Sequence, residues 1–495
     1  MGLIDYIKKN QNSAFTENGA YSYNTSESEC LDLFYRIGAL RNSASDNEIN
    51  TLVERAYAEN PLDTMKILFF ARDIRNGLGE RRVFRTAVEY LAACHTESVR
   101  KNLELFSEYG RWDDLVMLYG KSSLDSFIID IIKKQLESDI INMNSGKTVS
   151  LLAKWLPSVN TSSEKTRILA GKIVHALGFT EKHYRKTLSS LRKYIDIIEN
   201  RLRERDYTFD YSKQPSGAMM LYRKAFIRND GERYMQYIEN VHSGKEKLNV
   251  SSLYPYDIVR KALSGRISAD ETSALDAAWK SMNDISSSER NAIAVIDGSG
   301  SMYGCYSSAS PKPFEAALSL GLYFAEKSHG RFANHFITFS ETPRLIEIKG
   351  RNIVEKARYA ESFNEIANTD IYAVFRLILD TALEYNLPQS ELPDTIYIIS
   401  DMEFDSCAEY NGKRCTNFQA AEHLFRKAGY KLPDIVFWNV ASRNQQIPVK
   451  AHQSGAVLVS GSSPKIFDMV KSGDINPFKL MRDIIDSERY SAVSA

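Results

Sequence analysis

Asn291-Ala-Ile-Ala-Val-Ile-Asp297-Gly-Ser-Gly-Ser301-Met302 is the stretch whose reading decides the fold. Its opening residues are short, apolar and β-branched, which predicts a fully buried parallel strand. Glycine punctuation follows at once. Gly298 and Gly300 let the chain turn tightly, so that Asp297, Ser299 and Ser301 aim their oxygens at one point. A lone carboxylate with two hydroxyls suits a hard cation, and magnesium, which keeps several waters, fits so sparse a set. The plain alternative is a strand closed by an ordinary Ser/Gly turn.

Two later segments strengthen the first reading. Thr395-Ile-Tyr-Ile-Ile-Ser400 is a second buried-strand run, ending in Asp401-Met-Glu403. Asn368-Thr369-Asp370 heads an apolar-periodic helix, where Thr or Asp is an expected start residue and capping alone would explain both. Ligands in open parallel sheets gather outside the carboxyl ends of strands, so these segments and the first loop bring their oxygens to one rim. Glu403 reads as surface rather than as support for the site. The intervening pattern gives a helix (Phe314 to Lys327), a strand (His335 to Phe339), a helix (Phe418 to Ala428) and strands at Asp434 to Val440 and Ala456 to Ser460. Alternation of this kind implies an α/β doubly wound, Rossmann-like sheet with helices on both faces.

The first half has another character. From Glu29 to about Lys247 apolar residues recur at helical spacing, with polar breaks at Pro61-Leu-Asp-Thr64, Tyr109-Gly-Arg-Trp112 and Asn160-Thr-Ser-Ser163. No fixed period is visible, so the expectation is a degenerate all-α array of helix pairs, HEAT-like, with a compact helical domain as runner-up. Val250 to Glu289 connects the halves and carries a helix from Ala269 to Met282. The expected division is an arm (1–28, extended or mobile from Gln11 to Ser28), a helical domain (29–289), a sheet domain (290–487) and a tail (488–495).

Charge is balanced globally, 63 Lys+Arg against 63 Asp+Glu, which gives no whole-chain signal for nucleic acid. It is segregated locally. Leu151 to Val250 holds 19 basic against 11 acidic residues, leaving 44 against 52 elsewhere. Tyr184, Tyr194, Tyr207, Tyr211, Tyr222, Tyr234 and Tyr237 interleave with these cations, a mixture that single-stranded RNA sites use. The competing reading makes the tyrosines half-core and the cations a solvated helix face. Arg72, Arg75, Arg81, Arg82 and Arg85 lie among acids and read as structural ion pairs within a helix. Lys154-Trp155, a cation beside an indole before Pro157, is a better contact surface.

No run approaches 18 apolar residues and the amino terminus lacks a signal-type hydrophobic segment, so neither a membrane span nor secretion is expected. Five scattered cysteines (Cys30, Cys94, Cys305, Cys407, Cys415) without a C-x-x-C pair suggest reduced thiols in the cytoplasm, and a zinc site at Cys407 and Cys415 is not expected. Walker A, H-E-x-x-H and Ser-His-Asp patterns are absent, and the expectation is a protein that is not an enzyme.

The D-x-S-x-S loop with Thr369 and Asp401 resembles the metal-ion-dependent adhesion site of von Willebrand factor A domains, over roughly Asn291 to Ser487. That resemblance implies Asp297, Ser299, Ser301, Thr369 and Asp401 as ligands of magnesium or another divalent cation, with Asp370 an alternative to Thr369. Phe69-Phe-Ala-Arg72-Asp-Ile-Arg75-Asn-Gly77-Leu-Gly79-Glu-Arg81-Arg82, Tyr109-Gly-Arg111-Trp112, Ala153-Lys154-Trp155, Tyr184-Arg185-Lys186 and Leu191-Arg192-Lys193-Tyr194 extend it. Together they resemble the Ro autoantigen/TROVE group, and more nearly an uncharacterised family of the same layout. The resemblance implies a helical ring closed by the A domain and holding RNA. The expected RNA contacts are Lys154, Trp155, Arg185, Lys186, Arg192, Lys193, Arg201 and Arg203. The alternative is a metal-dependent protein-interaction scaffold, whose partner binds through the metal site.

Overall fold

The computed structural model describes residues 11–41, 44–285, 291–304, 310–340, 342–364, 369–405, 415–470 and 475–495. Asn368, Cys305, Cys407, the first ten residues of the arm and the 289/290 boundary lie outside them. An amino-terminal hairpin, β1 (Ser13–Phe15) and β2 (Tyr21–Tyr23), precedes a long helical region. The sheet follows, formed by β3 (Ala292–Asp297), β4 (His335–Phe339), β5 (Leu345–Glu347), β6 (Thr395–Ser400), β7 (Asp434–Asn439) and β8 (Ala456–Ser460). Its spatial order is β5-β4-β3-β6-β7-β8, and only the short edge strand β5 runs antiparallel.

The central strands β3 and β6 are buried along their whole length, as continuous apolar runs must be when helices cover both faces. The chain leaves β3 toward β4 on one side and returns to β6 on the other. The crevice between β3 and β6 is therefore the topological switch point, where open α/β sheets bind ligands. Ile296 pairs with Ile399, which sets the next residues, Asp297 and Ser400, side by side at the rim.

Helix follows helix through the first half, with caps where the sequence puts them. Asn60 closes the helix Asp46–Glu59 and caps Pro61–Arg72, its side chain accepting from Asp63 N. Pro61 thus sits at the first helical position rather than in a loop. Ser163 caps Glu164–Ala176 and Thr180 caps Glu181–Ile195. The Arg-Gly segment is a close-packed joint. Gly79 holds φ +69, and a Cβ there would lie 2.0 Å from the Tyr254 hydroxyl.

Three arginines of that region, Arg72, Arg82 and Arg85, are ion-paired, though with partners far along the chain instead of within one helix, while Arg75 donates to the Glu108 carbonyl. Buried Arg72 meets Asp114 at 2.7 Å, Arg85 meets Asp113 and Asp114, and Arg82 meets Asp46. A buried pair broken on one side is strongly destabilising, so this network fixes how the helices assemble.

One hydrophobic core runs through both halves. The first helix, Glu29–Ile37, packs on β8, and Gly38 approaches so closely that a Cβ would lie 2.7 Å from the Ser460 and Gly461 backbone. The tail is not loose. Arg489 pairs with Asp73 at 2.8 Å and Glu108 at 2.7 Å, buried Tyr490 stacks on Tyr109, and Ser494 N donates to Asn102. It straps the sheet's last helix (Pro477–Ile485) to the helical half because its aromatic ring and cation match a buried carboxylate there. A smaller core of Phe209, Tyr211, Phe226, Tyr234 and Tyr237 organises residues 198–277.

Candidate functional sites: a carboxylate rim and a basic groove

At the switch point the loop after β3 turns Asp297, Ser299 and Ser301 toward the end of β6. Ser299 N donates to Asp297 Oδ1 at 2.8 Å, Ser299 Oγ and Ser301 Oγ lie 3.0 Å apart, and Ser301 hydrogen-bonds the Asp401 carboxylate. Ser400 Oγ donates to Asp297 Oδ2. Asp297, Ser299, Thr369 and Asp401 are all buried. Burial raises both aspartates above the ordinary carboxylate range. Asp401 reaches about 6, with the Asp297 charge as the next cause.

Asp401 Oδ2 is buried without a hydrogen bond, and the nearest cation, Arg443 Nη1, stands 3.9 Å away. Two desolvated carboxylates, one of them carrying the orphaned oxygen, and three hydroxyls form an all-oxygen donor set of the kind a hard cation takes. Among the described residues no group of three or more His, Cys, Asp or Glu side chains is placed to hold a metal ion, so the set relies on hydroxyls. Thr369 Oγ1 donates to Glu403 O at 2.7 Å, which ties it to the loop after β6. Asp370 is spent as the cap of Ile371–Glu384, accepting from Ala373 N, and Thr369 is the residue of the two that meets the Asp401 loop.

The arm is a folded hairpin seated on this rim, not an extended or mobile segment. Asn18 Nδ2 donates to Thr369 Oγ1 at 3.0 Å and to Glu403 O at 2.8 Å, and Thr16 Oγ1 donates to Phe404 O. Glu17 pairs with Arg443 at 2.9 Å, and β2 bridges Ile447. Glu403, read from sequence as surface, is buried: it accepts from Glu17 N, Gln446 Nε2 and Asn444 Nδ2. Those amides come from segments hundreds of residues apart, which the dipeptide Met402-Glu403 does not announce. Ser400, Asn18 and Arg443 were missed for the same reason.

The helical half presents a cavity of about 830 Å³ between the helices Glu181–Ile195 and Ile198–Arg203 and the Ser158–Asn160 loop. Arg185, Lys186, Arg192, Lys193, Arg201 and Arg203 all line it, with Asp196, Glu204 and Asp206. Lys154 and Trp155 do not line it: Lys154 Nζ lies 3.6 Å from Glu199 Oε1 and Arg111 covers the indole at 4.7 Å, while groove residue Arg192 ties their helix to the cavity through Ala153 O and Leu156 O. The cations differ in availability. Arg192 is spent on Ala153 O, Leu156 O and Ser158 Oγ, Arg201 on Asp196 and Asp206, and Arg203 stands 3.6 Å from Glu204. Exposed Arg185, Lys186 and Lys193 have no carboxylate partner among the described residues.

The aromatic half of the expectation is corrected. Tyr184, Tyr211, Tyr234 and Tyr237 are buried core residues, because tyrosine at helical spacing on an apolar face packs inward and only its hydroxyl needs a partner. Tyr184 OH, for example, bonds Pro157 O at 2.9 Å. Tyr194 stays exposed near the groove.

Residues 16–120 and 122–290 match the model of a domain of unknown function (DUF2828), and residues 291–477 match another (DUF7788) rather than a von Willebrand factor A model. The chain belongs to the first of these families. An uncharacterized protein of Acanthamoeba polyphaga mimivirus is 30% identical, covering 96% of this chain and 87% of that one. The crystal structure of the Deinococcus radiodurans RO (RSR) protein aligns over 89% of this chain and 92% of that one, at 12% identity and a TM-score of 0.35. No helix among the described residues is long and apolar enough to cross a membrane.

Proposed function

We propose that this protein binds single-stranded or structured RNA in the groove of its helical half and holds a divalent cation, magnesium by its donor chemistry, at the rim of its sheet. The observation that carries the reading is the gathering of six cations from two successive helices on one 830 Å³ groove, three of them without a carboxylate partner among the described residues. The motifs shared with Ro-type proteins support it, and those proteins hold RNA on their helical repeats. The cation would be held by Asp297, Ser299, Ser301, Thr369 and Asp401. When bound, it supplies positive charge between two buried carboxylates that otherwise repel each other. Met402, between Asp401 and Glu403, keeps φ +68, a left-handed conformation that is uncommon for a non-glycine residue and enriched at functional sites. The reading assigns no catalysis and a cytoplasmic setting.

The scaffold alternative, in which the cation grips a partner's acidic group, comes second because the chain's own hairpin already covers Thr369. Filter binding of a labelled RNA at two salt concentrations tests the groove. Three neutralised phosphates give a slope of log K against log salt of about −2 for a single strand. Lys186→Glu with Lys193→Glu abolishes it; affinity untouched by that double variant refutes the proposal.

A further inference from the structure

A second cavity, of about 570 Å³, opens where the helix Pro255–Ala262 of the first half meets the helix Pro313–Lys327 of the sheet half. Its size falls within the roughly 300–1,000 Å³ typical of small-molecule sites. Three chemistries face it. Tyr303 lies half-buried and stacks on Phe314 with ring centroids 4.9 Å apart, and Lys312 Nζ stands 5.9 Å from the Tyr303 ring. Lys261 contributes an ammonium and Glu361 a carboxyl.

Some lining charges are accounted for. Arg260 stands 3.6 Å from Glu315, which also accepts from Lys312 N. Lys261 and Glu361 make no direct ion pair among the described residues, although Asp257 attracts Lys261, and Arg358 and Lys312 attract Glu361. Cations at the end of a helix need no explanation beyond its dipole. Lys261, however, is partly buried and crowded by Arg223 and Lys224 of another helix as well as Arg260. Burial and those like charges lower its pKa. Asp257, one turn back on the same helix, offsets only part of this crowding, which leaves the ammonium with more like charge than opposite charge around it. Burial likewise raises the pKa of Glu361.

We propose that this cavity is a nucleoside phosphate site, with the phosphate on Lys261 and Lys312, the base against Tyr303, and Glu361 accepting from an amino group of the base. A simple anion site would have no use for an aromatic face and a carboxyl in the same cavity as the ammonium. None of these residues belongs to the basic groove, so the proposal stands or falls independently of the RNA reading. The ligand's source is a free nucleotide or the phosphorylated end of a strand.

Calorimetric titration of the full chain tests it with AMP, ribose 5-phosphate, and one RNA oligomer with and without a 5′ phosphate. AMP is expected to bind about tenfold tighter than ribose 5-phosphate, from base stacking. Tyr303→Ala erases that advantage and Lys261→Glu weakens both ligands about tenfold, while Lys186→Glu with Lys193→Glu leaves AMP binding unchanged. Lys312→Glu, on a different helix, serves as the second phosphate variant, with a thermal melt confirming that each variant folds. Binding of the phosphorylated oligomer alone, lost in Lys261→Glu, supports the site and assigns it to a strand end. Absence of AMP binding at millimolar concentration together with equal affinity for the two oligomers overturns it, as does affinity unchanged in both lysine variants.

Discussion

Replacing Asp401 with Asn tests whether the rim is built for a cation. Its carboxyl is 2% exposed, lies beside Asp297 and is raised from the ordinary 3.8 to about 6. In the folded protein it binds its proton more tightly than in the unfolded chain. The associated stability is therefore complete below about pH 4 and lost as pH rises through 6. Two units at about 1.4 kcal/mol each make an empty rim cost about 3 kcal/mol at pH 7. Asp401→Asn removes that cost but weakens the hydrogen bond from Ser301, worth about 1 kcal/mol. The expected balance, in EDTA at pH 7, is a variant about 2 kcal/mol more stable than the parent. Magnesium at a hundred times its dissociation constant should add about 2.7 kcal/mol to the parent and nothing to the variant. Urea unfolding followed by tryptophan fluorescence, with EDTA or with magnesium, measures both. A variant less stable than the parent in EDTA, combined with a parent indifferent to magnesium, manganese and calcium, refutes the reasoning.

Three other outcomes follow from the packing. Arg489→Ala leaves Asp73, fully buried, without its cation and should destabilise the fold by about 3–5 kcal/mol in urea melts. Arg192→Ala should lower stability by about 1–3 kcal/mol because it orphans Ala153 O and Leu156 O, whereas Lys193→Ala should leave the melt unchanged and weaken RNA. Burial pushes the Cys30 thiol up to about 12, so in the native protein iodoacetamide should label exposed Cys94 and spare Cys30, as peptide mass mapping would show.

The sheet was legible because its strands are short apolar runs closed by polar residues. Ala292–Asp297, His335–Phe339, Thr395–Ser400, Asp434–Asn439 and Ala456–Ser460 stand within a residue of where the pattern puts them. β5 was not, since Leu345–Glu347 is three residues long and carries no period. The rim's own oxygens could be read from strand-end chemistry, yet what surrounds them could not. Asn18 and Arg443 reach Thr369 and Asp401 only through tertiary folding. The groove cations were found from local charge density, which cannot tell Lys193, free at the surface, from Arg192, spent on three backbone and hydroxyl oxygens. Tyrosine misled for a related reason. Its ring packs like phenylalanine, so interleaving with cations marks one helix face as basic and the opposite face as core. The arm reads as extended or mobile by composition, but Tyr23 docks it, as Arg489 and Tyr490 dock the tail.

Ultraviolet crosslinking of the purified protein to RNA, with the crosslinked peptides identified by mass spectrometry, goes straight to the central claim. The account predicts crosslinks concentrated within residues 181–206 and at Lys154-Trp155, fading as salt is raised. Crosslinks confined to other surfaces, or none at low salt, would contradict it.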